Sequence, residues 1–215
     1  MEGASVSAGA SGANVSAREA LVRRARLLAL LGLAWHVAEG GVAIGAGIAA
    51  GSIALIGFGA DSLIELAAGA TVLWRFAAGQ AESSDAEHRA HRMIAMTFWT
   101  IAIYVLVESL VTLTGGSHPD VSWIGIGLSA VTLATMPALA TAKARVADRL
   151  HSHAVRSEGR QNLVCAYLSL ALLLGLSANA AFGAWWADPV AALAIAAVAA
   201  NEGREAWRGE DDHCC

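Results

Sequence analysis

The chain has 215 residues, 56% of them hydrophobic and only 15% charged, with a formal net charge of −4. A soluble domain of this size carries roughly a quarter of its residues as charges, so this composition, with its positive mean hydropathy, argues against an ordinary soluble fold and for an integral membrane protein. No basic patch interleaved with aromatics is present, which excludes nucleic acid as a partner.

In chain order, residues 1–22 are rich in Ser, Gly and Ala and predict a disordered arm. The charges at its end precede a full-length apolar span, unlike a cleaved leader. A bilayer-crossing helix needs about 20 mostly apolar residues. Six such spans follow, near 27–46, 52–76, 93–114, 121–141, 163–182 and 185–201, and they predict an all-α polytopic domain over 23–208. The connections at 49–51, 115–120 and 183–184 are tight, whereas 77–92 and 142–162 are longer and charged. Residues 209–215 form a short acidic, His- and Cys-containing tail.

Arginine and lysine test this division independently. With six spans and both termini on one side, all 14 basic residues fall on that side and the three tight connections hold none. The positive-inside rule makes that side the cytoplasm, with both termini there, and the protein is read as an inner-membrane one. Trp185 and Trp186 suit an interfacial aromatic belt at the outer mouth, and Pro137 predicts a kink in the fourth span. Small residues in the first, fourth and sixth spans permit close helix packing.

Against this apolar background stand Glu39, Asp61, Glu65 and Glu108, each within a span. A carboxylate at bilayer depth costs a few kcal/mol on insertion scales and usually lines a polar pathway or bonds to another helix. Asp61 and Glu65, in "GADSLIELAAG", are four residues apart and share one helix face. Ionised together they repel, and a divalent cation between them relieves that repulsion, so such a site exchanges protons for metal. Asp61, Glu65 and Glu39 are therefore the candidate proton-coupling groups. Glu39 and Glu108 are also candidates for helix–helix hydrogen bonds, and His36 either relays protons or bonds to Glu39.

A cation needs ligands from a second helix. In "SEGRQNLVCAYLSL", Gln161 and Cys165 are again four apart on one face, with Glu158 a turn before Gln161. Cys offers a soft ligand suited to zinc-like ions and Gln a weak carbonyl oxygen, while Cys165 alone also reads as a small buried hydrophobe. Outside the spans, His88 and His91 beside Asp85 and Glu87, and His151 and His153, are incidental loop histidines or weak metal ligands. The tail "EDDHCC" offers Asp211, Asp212, His213, Cys214 and Cys215 on a free end, either for a thiophilic ion or as a disordered terminus. The three cysteines are read as reduced thiols. No nucleophile–base pair or phosphate loop is present, so neither an enzyme nor a resident cofactor is expected.

"GFGADSLIELAAG", "SEGRQNLVCAYLSL" and "WWADPVAALAI" together resemble the cation diffusion facilitator family of six-helix metal/proton antiporters, over residues 26–208. In that family the second helix carries D-x-x-x-D, matched by Asp61 and by Glu65 in place of the second Asp. The fifth helix usually carries H-x-x-x-D, which falls on Gln161 and Cys165. The resemblance implies a tetrahedral metal site at these four positions, with Glu158 as a further source of charge. It also implies a homodimer, alternating access by rocking of helix groups, and efflux of a zinc-like divalent cation. Asp188, in Ala-Asp-Pro, marks the start of the sixth helix. The family's usual cytoplasmic metal-binding domain is not expected after it, which suits a transmembrane-only branch. Two rival readings are a non-transporting metal sensor or assembly protein that keeps the fold, and a proton-only pathway through Asp61 and Glu65.

Overall fold

The computed structural model describes the backbone of residues 4–77, 84–115, 118–151 and 153–208. These residues form six helices and no strand: α1 (Ala4–Ala50), α2 (Ile53–Ala77), α3 (Ser84–Leu113), α4 (Trp123–Leu150), α5 (His153–Phe182) and α6 (Ala187–Arg208). A helix satisfies its own backbone donors and acceptors, which lipid cannot do. Among the described residues, stretches of α1, α3, α4 and α5 are long and apolar enough to cross a membrane. The all-α reading therefore holds, with α2 and α6 as the two remaining helices; α6 carries Glu202, Arg204 and Glu205 toward its end.

The helices outrun the apolar windows that announced them. α1 is continuous from Ala4 and has 47 residues, about 70 Å at 1.5 Å per residue, against about 30 Å of hydrocarbon. The arm expected to be disordered is thus helical from its fourth residue. Its alanines favour helix and it has no proline to stop one. The connection expected over 142–162 is almost wholly helical too, since α4 runs to Leu150 and α5 begins at His153. Apolar length marks hydrocarbon depth, whereas Ala, Arg and Glu continue a helix into water at little cost.

Where the chain turns tightly, local chemistry ends the helices. Gly51, between α1 and α2, has φ of +65°, a conformation that disfavours side chains. Ser122 caps α4 by accepting the Gly125 N–H at 3.1 Å, and α4 ends at His151 in the left-handed region.

α1 packs on α2 and α4, α4 packs on α5, and α5 touches α2, so these four helices close a ring. α3 and α6 pack on each other outside it, against α2, with α6 also reaching α5. α1 and α2 cross where a Cβ on Gly59 would lie 2.7 Å from Ile44 and 3.0 Å from the Gly40 carbonyl. That close approach brings the charged turns of α1 and α2 face to face. Large apolar residues point outward along the helices, among them Leu30, Leu31, Ile103, Val107, Val111, Ile124 and Leu174. Ser62, Ser129, Thr132, Asn162 and Ser169 are buried within. An apolar exterior around a partly polar interior suits lipid as solvent.

The end bearing the tight turns is tied by polar contacts. Asp188, fully buried at the start of α6, accepts from Ser52 Oγ at 2.5 Å and from the Ala54 N–H at 3.4 Å. Asn179 donates to the Pro119 carbonyl at 3.0 Å, and His118 stacks on Trp185. At the opposite end Arg92 of α3 lies over the ring of Trp207 of α6.

Candidate metal centre

Inside the four-helix ring, polar side chains from every member converge. α1 contributes His36 and Glu39, α2 Ser62 and Glu65, α4 Thr132, and α5 Cys165. His36 is 7% exposed, Glu39 1%, Glu65 8% and Cys165 1%. One ligand atom each from His36, Glu65 and Cys165 falls within 4.8 Å of the other two.

Glu39 is the best-satisfied member. Its Oε2 accepts from Ser62 Oγ at 3.0 Å and from Cys165 Sγ at 3.7 Å, and its Oε1 accepts from Thr132 Oγ1. Three helices thus donate to a carboxylate that would otherwise be costly at this depth. Glu65 differs. Its Oε2 sits 3.2 Å from His36 Nδ1, yet neither of its oxygens, nor that nitrogen, makes a well-formed hydrogen bond. Unpartnered buried polar atoms are rare, and three in one place leave room for a ligand to satisfy them.

The described residues give most of those singled out in the sequence a definite place. Ligand atoms of Glu65 and Cys165 come within 4.8 Å, and Gln161, one turn away on α5, lies within reach of Glu65 as a hydrogen-bond donor. Asp61 is only 3% exposed but lies outside the tight group. Glu158 does not turn toward the metal centre. Its Oε2 pairs with Lys143 Nζ at 3.1 Å, bridging α5 to a buried lysine of α4. Glu108 is half-buried on α3, outside the ring. His88 and His91 fall on the backbone of α3, but their side chains lie outside the described residues, as do His213, Cys214 and Cys215.

Two features of the centre depart from the sequence reading. The first is the inward reach of α5, which extends past Arg160 to His153 and so brings Cys165 well within the helix, where it is 1% exposed. The second is the contribution of α1. His36 and Glu39 form H-x-x-E, which places both on one face of an apolar helix, a signal of the same kind as the Asp61–Glu65 spacing.

The described residues, helical in every regular element, with an apolar exterior and a buried cluster of oxygen, nitrogen and sulfur atoms, define an integral membrane protein. The cation efflux transmembrane domain matches residues 29–208, and the chain belongs to this cation diffusion facilitator family of cation transporters. No curated protein matches it.

Proposed function

We propose that this protein exports a divalent, zinc-like transition-metal ion from the cytoplasm in exchange for protons, through a site formed by Asp61, Glu65, Gln161 and Cys165. The observation that carries the reading is the convergence of Glu65 and Cys165, from different helices, with ligand atoms within 4.8 Å in a nearly dry core. A hard oxygen beside a soft sulfur favours zinc-like ions over magnesium or calcium. Asp61, Glu65 and Glu39 are the groups available to take up protons as the metal leaves. All six helices cross the inner membrane in this reading, with both termini cytoplasmic, where the basic residues gather. The unit is a homodimer, and its helix groups rock to open the closed centre to either side.

The test is metal uptake into proteoliposomes under an imposed pH gradient, with zinc, iron, manganese and cobalt compared. Zinc or cobalt flux that collapses without the gradient and is abolished by Asp61→Ala is the expected result. Saturable binding with no flux would make the protein a metal sensor, and proton flux indifferent to zinc would make it a proton pathway.

A further inference from the structure

We propose that His36 of α1 is a direct ligand of the transported ion, so that the metal centre spans three helices and its imidazole comes from α1. The family resemblance expects an imidazole on the fifth helix, but Gln161 stands there. The structure instead puts an imidazole beside Glu65 and Cys165 from the opposite wall of the ring.

Three observations converge. First, His36 Nδ1 lies 3.2 Å from Glu65 Oε2, close to the separation of about 3.3–3.6 Å between neighbouring donors around a tetrahedral zinc. The Cys165 ligand atom lies within 4.8 Å of both, so a modest rotation of its side chain would complete a triangle of nitrogen, oxygen and sulfur. Second, His36 Nδ1 and both Glu65 oxygens are buried and make no well-formed hydrogen bond, whereas Glu39 beside them is supplied by Ser62, Thr132 and Cys165. A histidine serving only the packing would be expected to use that nitrogen. Third, α1 is held against α2 at the Gly59–Gly40 crossing, one turn from His36, which fixes the reach of the imidazole. Glu39 remains in its hydroxyl cradle as a positioning residue, its Oε2 being 3.4 Å from His36 Nδ1. One nitrogen, one carboxylate oxygen and one sulfur make a donor set for borderline ions such as zinc, cobalt or cadmium.

This inference rests on the proposed reading for the identity of the ion as cargo, but its test does not require transport. The full-length chain carrying His213→Gln, Cys214→Ser and Cys215→Ser, which removes the tail ligands, is titrated with cobalt(II) in detergent micelles, and affinity and the thiolate-to-cobalt charge-transfer band are recorded. His36→Gln is expected to weaken cobalt binding by roughly tenfold or more, since even second-layer partners of metal ligands are worth that much. His36→Cys, which keeps a ligand atom and serves if the glutamine variant does not fold, is expected to retain binding and to strengthen the band as a second thiolate joins. Affinity unchanged in His36→Gln, or a band unchanged in His36→Cys, would overturn the assignment. Flux is scored separately: His36-dependent binding without cobalt transport upholds this inference and sinks the transport reading, while full transport by His36→Gln does the reverse.

Discussion

Lys143 and Glu158 pose a sharp energetic test, because the two members of the pair sit in unequal surroundings. The Lys143 side chain is 6% exposed and that of Glu158 42%, with Nζ and Oε2 3.1 Å apart. At that distance and an effective dielectric of about 20, the attraction is about 5 kcal/mol. Desolvation of the lysine offsets most of it, so the pair adds little net stability. Glu158→Gln strands the buried ammonium. Fully buried, that loss costs about 3–5 kcal/mol; with Glu158 partly in water we expect about 2 kcal/mol. Lys143→Met removes the buried charge and keeps the volume, and it should fall within about 1 kcal/mol of the parent. The double variant should recover most of what Glu158→Gln loses. Unfolding of the purified protein in mixed micelles, followed by tryptophan fluorescence, gives the three values. If Lys143→Met proves the more damaging single change, Lys143 is not the stranded charge and the accounting is wrong.

Two further changes probe the frame around the metal centre. A double-mutant cycle of Ser52→Ala and Asp188→Ala should return a coupling of about 1.5 kcal/mol, near the upper end for hydrogen bonds between membrane helices because the acceptor is a fully buried carboxylate. Coupling near zero in the same unfolding assay would mean that α6 is not anchored to α2 there. Gly59→Val should destabilise by about 1–3 kcal/mol through overpacking against Ile44, Ala43 and the Gly40 carbonyl. It should also weaken cobalt binding by moving α1 off α2, and unaltered affinity in a folded Gly59→Val chain would count against the α1 contribution.

Much of this architecture is legible in the sequence because the bilayer imposes a simple rule. Apolar length announces the helices, and the D-x-x-x-E and Q-x-x-x-C spacings mark Glu65 and Cys165, whose ligand atoms do meet. Spacing along one helix identifies a shared face but not what that face meets. Glu158 shows the limit: one turn from Gln161 it reads as a spare metal charge, yet it answers Lys143, whose burial depends on how α4 leans on α5. His36 shows the converse. Nothing in "AWHVAEGG" says that α1 faces Cys165; that follows from the closure of the ring and the glycine crossing with α2. The inward reach of α5 was hidden because the polar residues before Arg160 look like a loop when only apolar length is counted.

The uneven treatment of the carboxylates separates scaffold from ligand. Glu39, Asp61 and Glu65 are all buried, and each ionised acid at such depth is costly unless something answers its charge. For Glu39 the answer is built in: hydroxyls from α2 and α4 donate to it, and the thiol of α5 adds a longer contact at 3.7 Å until a metal claims it. Glu65 has no such hydroxyl cradle: Gln161 and the facing imidazole lie beside it, but neither its oxygens nor that nitrogen makes a well-formed hydrogen bond. A fixed acceptor gains from fixed donors, whereas a carrier must hold its ion and then release it. Saturating Glu65 with hydroxyls would stabilise the empty centre and weaken its grip on a cation by the same interactions. Glu39 therefore behaves as part of the wall, and Glu65, with His36 and Cys165, as the part that waits for the ion.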